Sequence, residues 1–527
     1  MLMTKKKKIK LLYTTDIHGN VMPLIYGTNE EADIGLAKYA TVVKKMKEEN
    51  EHIILIDNGD LMQGTPLMTH YVKQYQHQAN PMIEILNRLK IDAAVLGNHE
   101  FNFGNKVLTD AIEQSHFPWL SANIIDTSSK KPQFGPPYIV KQIDDEVRVA
   151  IVGVTTHYIP NWESPNHIKG LTFLDACETL DDWVKHIREK ENPDLLIAAY
   201  HGGFERDINT GEPTEKMTGE NQAYQMCKQI KGIDILLTGH QHRELVGNIK
   251  DVLVIQAGSH GRTYGEINMV LEKEGNVWNV IKKKAAVRTL ETVEADDEIL
   301  QYIGDLEKST QQWLDEPIGF IDGDMTIIDP FQARIKKHPF IQFIHDVQME
   351  ESGVDISVTA LLNNHSVGFK ETVTMRDVVS NYIYPNTLVV LQLTGKDMKA
   401  ALEKTASYFT LDNEGKIIVD PSYVRPKPQH YNYDMWEGIE YEINVSKPIG
   451  NRIEKLTYQN REIKEHETYH VVLNNYRASG GGDYDMFKDK PVIREIQKDM
   501  VEIIREYFER HKYVKAYTKD NYHVVAL

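Results

Sequence analysis

Five clusters of polar side chains that could bind metal ions recur in the first half of the sequence. Each cluster directly follows a short run of apolar, β-branched residues, and such a run is typical of a buried strand. The candidate ligands are Asp16, His18, Asp60, Asn98, His201, His240 and His242. In an open α/β sheet, ligands bind beyond the carboxyl ends of the strands. We therefore expect the five strands to carry these side chains to one edge of a single sheet.

One such cluster would carry little weight, because Asp and His are common in turns. Five clusters in one region are hard to obtain by chance. A structural zinc site prefers cysteine or four closed ligands, whereas this set contains no cysteine and more donors than one ion needs. Mixed carboxylate, amide and imidazole donors suit two ions bridged by one carboxylate, and they suit Mn²⁺, Zn²⁺, Fe or Co²⁺ better than Ca²⁺. Paired ions about 3.5–4 Å apart catalyse displacement at phosphorus, so the set indicates phosphoester hydrolysis.

In order and character, these motifs resemble the calcineurin-like metallophosphoesterases. They are Asp16-x-His18, Gly59–Asp60, Gly97–Asn98–His99–Glu100, His201 and Gly239–His240–Gln241–His242. The resemblance implies that one ion is held by Asp16, His18, Asp60 and His242. It implies that a second ion is held by Asp60, Asn98, His201 and His240, so that Asp60 bridges the two. His99, outside this ligand set, would contact the phosphoryl group or the leaving oxygen.

The segments between the clusters predict an α/β fold in which sheet layers are flanked by helices. Apolar spacing predicts helices over Asp33–Glu49 and Met82–Leu89, and a further buried strand over Arg148–Val154. Gly and Pro punctuate the polar segment Phe204–Gly219, which we expect to be an exposed loop near His201. We expect His260 to be a structural histidine.

The length of 527 residues is too great for one core and indicates two or three domains. We expect a catalytic domain over residues 1–293, a connecting helix over 294–317 and a second α/β domain over 318–527. Helical spacing of apolar residues supports the connecting helix, although a further helix of the first domain would show the same spacing. In the second domain we expect helices over Pro339–Glu351, Gly395–Tyr408 and Pro491–Tyr513.

Composition limits the partners and the compartment. Lysine and arginine number 60 against 77 aspartate and glutamate residues, and the formal net charge of −17 disfavours a nucleic-acid polymer as partner. No apolar run is long enough to span a membrane, so we expect no membrane partner. The only cysteines, Cys177 and Cys227, are compatible with a reducing compartment. These features do not indicate an oligomeric state.

The N-terminus begins Met1–Thr4, followed by four lysines at Lys5–Lys8. A secretory signal would need an apolar segment of about 7–15 residues next, and none is present. We expect a solvated tail and a cytoplasmic protein, although a secreted protein whose signal had been removed would look the same.

Three stretches of the second domain look like the C-terminal domain of the 5′-nucleotidase family. They are Tyr382–Leu388, Tyr431–Asp434 and Asn474–Gly482. Within that family they look most like the bifunctional 2′,3′-cyclic-nucleotide 2′-phosphodiesterase/3′-nucleotidases. In such enzymes two aromatic rings sandwich the base, and the resemblance places this role on Tyr384 and Tyr476. A core position beside Pro385 is the alternative for Tyr384.

One departure from the family pattern concerns Asn102, three positions after His99. The 5′-nucleotidases typically have aspartate there, and a carboxylate would favour the protonated ring, whereas an amide orients the ring without that charge. The cyclic-phosphodiesterase branch resembles this chain in having asparagine. Leu361–His365 also replaces the Asn-x-Gly-Gly-x-Arg element that the 5′-nucleotidases carry.

The resemblance therefore implies hydrolysis of 2′,3′-cyclic nucleotides to 3′-nucleotides, and of these to nucleoside and phosphate. The nucleophile would be a hydroxide activated by two divalent ions, with His99 and Asn102 as the catalytic pair. A 5′-nucleotidase or nucleotide-sugar hydrolase is the alternative enzyme. An inactive nucleotide-binding protein is disfavoured because every ligand position is filled.

Overall fold

In the computed structural model, the predicted ligand clusters follow strands of two sheets rather than one. Lys6–Thr14, Ile53–Asp57 and Ala93–Val95 are parallel neighbours in a first six-stranded sheet. Leu195–His201 and Ile235–Thr238 are parallel neighbours in a second six-stranded sheet. The single-sheet prediction is therefore wrong.

The structure describes residues 5–215, 217–384, 386–425, 428–496 and 498–527. The chain divides into a first unit, Met1–Thr310, and a second unit, Gln311–Leu527, and the division falls inside the helix Asp297–Leu314. Both sheets that carry the ligand clusters belong to the first unit.

Each of these two sheets has a parallel centre and antiparallel additions. In spatial order the first contains Val277–Thr289, Thr263–Glu274, Lys6–Thr14, Ile53–Asp57, Ala93–Val95 and Trp119–Leu120. The second contains Glu244–Ile249, Val252–Ala257, Ile235–Thr238, Leu195–His201, Val147–Thr155 and Tyr138–Ile143. Two-stranded pairs complete the unit, namely Leu24–Ile25 with Glu30–Glu31 and Ile124–Asp126 with Leu171–Phe173.

A shared apolar core explains why two sheets form. Side chains from both sheets, such as Leu11, Ile56, Ile197 and Ile255, belong to one buried cluster. Central parallel strands carry apolar residues on both faces, and each face must be covered. The sequence shows that both faces are apolar, but it does not show whether a helix or a second sheet covers a given face.

Helices bury further apolar surface of the first unit. On the second sheet, Leu180 and Val184 of one helix join a separate core with strand residues such as Leu196. On the first sheet, the ring of Tyr39 lies 5.7 Å from that of Tyr264. The α-helices are Leu36–Glu49, Pro66–His70, Pro81–Leu89, Gly104–Gln114, Ala176–Lys190, Ala223–Gln229 and Asp297–Leu314. Shorter helical turns are Tyr71–Tyr75, His99–Phe101 and Ile159–Asn161.

The lysine-rich start is part of the first sheet rather than a tail. Lys6 begins the strand Lys6–Thr14, and Lys7 is buried and paired with Asp144. The tail prediction is therefore wrong for Lys6–Lys8. Their side chains alternate between exposed and buried, as they do in a strand with one face toward the core. The part of that prediction that concerns Met1–Thr4 lies outside the described residues.

The second unit combines a five-stranded, a four-stranded and a three-stranded sheet with helices. The five-stranded sheet has the order Asp434–Glu437, Ile356–Ala360, Thr468–Asn474, Leu388–Thr394 and Val492–Ile496. The other sheets contain Arg461–Glu462, Ile453–Tyr458, Glu440–Asn444 and Tyr522–Val525, and Thr372–Thr374, Pro317–Asp322 and Tyr513–Lys515. Short pairs are Met325–Thr326 with Gly368–Phe369 and Phe409–Leu411 with Ile417–Val419. The α-helices are Gln332–Ile335, Pro339–Ser352, Met375–Asn381, Gly395–Ala406, Asn475–Ala478 and Met500–Arg510, and the 3₁₀ turns are Pro421–Tyr423, His430–Asn432 and Asp485–Phe487.

The helix predicted over Pro491–Tyr513 is wrong in its first part. Val492–Ile496 forms a strand that pairs antiparallel with Leu388–Thr394, and the helix begins only at Met500, where Asp499 caps it. Short apolar runs fit either periodicity, and the β-branched residues of this run favour the strand. Gln497 lies outside the described residues.

Both units combine sheets with helices, so the predicted α/β fold class is confirmed. Among the described residues, none of the helices has the length and apolar character that crossing a membrane requires.

Candidate metal centre

The seven predicted ligands meet at the carboxyl ends of the strands of the first unit. Two groups of side chains each place their ligand atoms within 4.8 Å of one another. One group is Asp16, His18 and His242, and the other is Asp60, His201 and His240. The two groups match the two ion sites that the resemblance implies. Asn98 joins the second group, because its Oδ1 lies 2.9 Å from His240 Nδ1.

Asp60, a member of the second group, also lies close to the first. Its Oδ2 is 3.1 Å from His201 Nε2 and 4.0 Å from His18 Nε2. Within the first group, His18 Nε2 is 3.0 Å from His242 Nε2, which is 3.4 Å from Asp16 Oδ1. One carboxylate is therefore close to both groups, as a bridging ligand must be.

Backbone carbonyl groups orient two of the histidines. Nδ1 of His18 lies 2.9 Å from the carbonyl oxygen of Gln63, and Nδ1 of His201 lies 2.7 Å from that of Asn58. In the neutral ring, each Nδ1 therefore carries the proton and donates it, which leaves the Nε2 lone pair to face the carboxylates. Metal-binding histidines are typically held in this way. With the rings neutral, the nitrogen and oxygen lone pairs converge in the way that a divalent cation requires.

The pKa values of these groups agree with a cation site. Burial would raise the pKa of Asp60, but nearby histidines, His201 first, hold it well below its usual range. Burial opposes a proton on His201, yet the neighbouring Asp60 carboxylate raises the pKa of that imidazole to about 10. Burial and the adjacent His242 lower the pKa of His18 well below its usual value. A positive charge is thus favoured beside Asp60, and a metal ion would displace the proton of His201.

Strained backbone marks the same site. Five of the seven candidate ligands have positive φ, with values from 52° to 68°, namely Asp16, His18, Asp60, His240 and His242. Residues other than glycine are rarely held in this region unless their surroundings require it, and such positions cluster at functional sites. Glycine is needed at Gly97, where a Cβ atom would lie 2.2 Å from Asp60 Oδ1.

Glu100 connects the loop that follows Ile53–Asp57 to the loop that follows Ala93–Val95. Its fully buried carboxylate accepts hydrogen bonds from the backbone N–H groups of Asp60, Leu61 and Gly97, at 2.8, 2.7 and 2.6 Å. The motif contained this residue, but sequence reasoning gave it no role. The contacts show that it fixes the loop of the bridging carboxylate.

The predicted catalytic pair lies beside the ligands. The ring of His99 is 5.1 Å from that of His18, and its backbone N–H donates to Asp60 Oδ1 at 2.8 Å. Asn102 Oδ1 lies 2.6 Å from His99 Nδ1, so the amide accepts the Nδ1 proton. Behind it, Asn102 Nδ2 donates to Glu163 Oε2 at 2.6 Å. Sequence reasoning missed Glu163, which belongs to a loop with no motif of its own.

Two more residues that the sequence did not identify contact His240. Glu220 Oε1 lies 2.9 Å from His240 Nε2, which fixes the proton on Nε2 and turns Nδ1 toward Asn98. The ring of Trp162 stacks on the imidazole at 5.3 Å. Glu220 directly follows Phe204–Gly219, the segment that we expect to be an exposed loop. This segment is exposed in parts, but the side chain of Phe204 is buried. Lys216 lies outside the described residues.

His260, which we expect to be structural, lies next to the same centre. Its backbone N–H donates to the carbonyl oxygen of Asp16 at 2.7 Å, and its ring lies 5.4 Å from the ring of His18. The backbone contact supports the loop of the first ligand group.

The two predicted base-stacking residues lie in the second unit. Both are partly buried, and their segments are joined by a hydrogen bond from the Asn475 N–H to the Thr387 carbonyl oxygen. The ring of Tyr384 meets that of Tyr431 edge to face at 6.2 Å. Stacking of one base between Tyr384 and Tyr476 stays a prediction, and Pro385 lies outside the described residues.

A buried ion pair supports the loop that carries Tyr476. Arg477 Nε lies 2.8 Å from Asp434 Oδ2, and both side chains are 3% exposed. The guanidinium also donates to the carbonyl oxygens of Tyr431 and Gly481. One arginine therefore connects two of the three segments that resemble the family, Tyr431–Asp434 and Asn474–Gly482.

Comparisons with known proteins agree with both units. The family model of calcineurin-like phosphoesterases matches residues 9–244, and that of the 5′-nucleotidase C-terminal domain matches residues 317–489. A solved structure from Staphylococcus aureus, a candidate 5′-nucleotidase in complex with α-ketoglutarate, is 34% identical with a TM-score of 0.89. The alignment covers 98% of this chain and 100% of that one. The chain belongs to the 5′-nucleotidase family.

Other members of the 5′-nucleotidase family are similar over most of this chain. A 2′,3′-cyclic-nucleotide 2′-phosphodiesterase/3′-nucleotidase of Salmonella typhimurium is 27% identical over 90% of this chain and 81% of its own length. The trifunctional nucleotide phosphoesterase YfkN of Bacillus subtilis is 27% identical over 98% of this chain, which spans only 39% of that protein. The predicted resemblance is confirmed. The calcineurin-like fold implies a dimetal centre, and the two groups of donors fit it.

Proposed function

We propose that this member of the 5′-nucleotidase family hydrolyses 2′,3′-cyclic nucleotides to 3′-nucleotides, and then 3′-nucleotides to nucleoside and phosphate. The observation that carries the choice of substrate is the amide of Asn102 on His99 Nδ1, at the position where 5′-nucleotidases typically have a carboxylate. The printed name of the Salmonella relative supports the same choice.

The site accounts for the bonds that change. When bound, two divalent ions would supply electrophilic stabilisation of the phosphoryl oxygens and a nucleophile from water. In the first step the water oxygen bonds to phosphorus, the bond from phosphorus to O2′ breaks, and O2′ takes a proton. In the second step water attacks again and the bond from phosphorus to O3′ breaks. Both steps use the same site and need no further reactant.

The residues of the chain have separate tasks in this scheme. The two donor groups hold the ions, and Asp60, a member of the second group, also lies 4.0 Å from His18 of the first. His99 is held beside His18 by its backbone bond to Asp60, and its side chain contacts the phosphoryl group or the leaving oxygen. Asn102 fixes the ring, because its Oδ1 accepts the Nδ1 proton. Tyr384 and Tyr476 stack on the base, which requires only an aromatic face and so tolerates different bases.

A 5′-nucleotidase is the second candidate, favoured by the description of the Staphylococcus aureus relative. The two functions are separated by measuring kcat/KM for 2′,3′-cyclic AMP, 3′-AMP, 5′-AMP and bis(p-nitrophenyl) phosphate on one preparation with added Mn²⁺. We expect the first two nucleotides to be cleaved with higher kcat/KM than 5′-AMP. A preference for 5′-AMP would replace the proposal by the second candidate.

A further inference from the structure

A chain of three side chains leads away from the candidate catalytic residue. His99 Nδ1 lies 2.6 Å from Asn102 Oδ1, and Asn102 Nδ2 lies 2.6 Å from Glu163 Oε2. The Glu163 side chain is only 6% exposed. The amide of Asn102 therefore lies between the ring of His99 and a buried carboxylate.

The order of donors and acceptors along this chain allows only one orientation of the amide. An ionised carboxylate can only accept hydrogen bonds, so Glu163 requires the NH₂ group of Asn102 to face it. Oδ1 then faces His99 and accepts the Nδ1 proton. If the amide turned over, its oxygen would face the carboxylate, and its NH₂ group would donate to a bare Nδ1. Glu163 thus selects the amide orientation, and through it the tautomer of His99.

Glu163 is itself held in place. Its other oxygen, Oε1, accepts from the backbone N–H of Ser164 at 2.7 Å and lies 2.9 Å from His167 Nδ1. Trp162, its neighbour in the chain, stacks on the ring of His240. The loop is therefore fixed against the metal centre on one side and by two donors on the other, which leaves Oε2 directed at Asn102.

We propose that Glu163 is a positioning residue for His99. Acting through the amide of Asn102, it holds the proton on Nδ1 and directs Nε2 toward the substrate, and it does not contact the substrate itself. This inference rests on the proposed role of His99 at the leaving oxygen. It predicts that the pattern of donors and acceptors along the chain matters more than the identity of each residue.

The first test uses three variants that change that pattern. Glu163→Gln lets the amide of Asn102 turn over, because the introduced side chain can also donate. Asn102→Asp brings two carboxylates to within hydrogen-bond distance, where they repel. In the double variant Glu163→Gln/Asn102→Asp, the introduced amide donates to the introduced carboxylate, whose other oxygen accepts from His99. We expect both single variants to be impaired and the double variant to recover to within about threefold of the wild type.

The readout separates positioning from a general structural role. Phenol is a weaker acid than p-nitrophenol, so phenyl phosphate depends more on a group that assists the leaving oxygen. We expect Glu163→Gln to lower kcat for phenyl phosphate by about 10- to 100-fold and kcat for p-nitrophenyl phosphate by less than about threefold, with KM little changed. Nitrogen-15 NMR of labelled histidine should show a proton on Nδ1 of His99 in the wild type and the double variant, and a mixture in Glu163→Gln.

Two controls make the outcome decisive. His99→Ala should show the same dependence on the leaving group as Glu163→Gln, only larger. If His99→Ala shows it and Glu163→Gln does not, the inference is wrong while the role of His99 stands. An additive loss in the double variant, or equal losses on both esters, would also overturn it. Because phenyl esters carry no base, these results do not depend on which nucleotide the enzyme prefers.

Discussion

Replacing Glu220 by glutamine should weaken the binding of one of the two ions. Glu220 Oε1 lies 2.9 Å from His240 Nε2, and the charge on the carboxylate makes the opposite nitrogen, Nδ1, a better donor to a metal. Removing an outer partner of this kind typically lowers metal affinity by about 10- to 100-fold. The Glu220 side chain is 32% exposed, so water screens its charge and we expect the lower end, about tenfold or about 1.4 kcal/mol.

Titration of Mn²⁺ into metal-free protein by calorimetry measures this effect directly, because two sites give two binding constants. Glu215→Gln is the matched control, since Glu215 lies in the same region but accepts from Asn221 and Gln241, which are not candidate ligands. We expect the control to stay within about twofold of the wild type. Equal losses of metal affinity in the two variants would refute the role of Glu220 in supporting His240 as a ligand. An equal loss of affinity for both ions in Glu220→Gln would refute it as well.

Three other substitutions separate binding, stability and ligand geometry. Tyr476→Ala should raise KM for 2′,3′-cyclic AMP by about 5- to 150-fold but barely affect bis(p-nitrophenyl) phosphate; equal effects would remove the stacking role. Arg477→Ala should lower the free energy of urea unfolding by about 3–5 kcal/mol, because Asp434 stays buried and unpaired, and a loss below about 1 kcal/mol would contradict this. Gly97→Ala should displace Asp60 and reduce the number of metal ions bound per chain. Gly304→Ala is the control, because a Cβ atom there would meet open space, and we expect its metal content to be unchanged. Normal metal content in Gly97→Ala would count against the bridging geometry.

The local sequence pattern was sufficient to identify the candidate ligands that the structure brings together. Each candidate ends or follows a strand, and a strand end together with a ligand-type residue can be recognised within about ten residues of sequence. The seven side chains do meet at one place, although they come from two sheets. The number of sheets depends on which surface covers each apolar face, and that is decided by packing between distant segments.

The residues that support the ligands could not be found in this way. Glu163 contacts Asn102 across 61 positions of the sequence, and Glu220 contacts His240 across 20. Both lie in loops, whose paths depend on tertiary packing rather than on periodicity. The same limit applies to Val492–Ile496, because the strand depends on its pairing with Leu388–Thr394, a segment distant in the sequence.

In the proposed function, phosphoester hydrolysis depends on two ions held by the donor groups. The most direct measurement combines metal analysis by plasma mass spectrometry with the rate of hydrolysis of bis(p-nitrophenyl) phosphate, before and after exhaustive chelation and again after Mn²⁺, Co²⁺ or Zn²⁺ is added. We expect two ions per chain, loss of activity on chelation and recovery on addition. Asp60→Asn should bind neither ion tightly, because its carboxylate is close to both donor groups. Full activity of the wild type with metal shown to be absent would contradict hydrolysis by two ions.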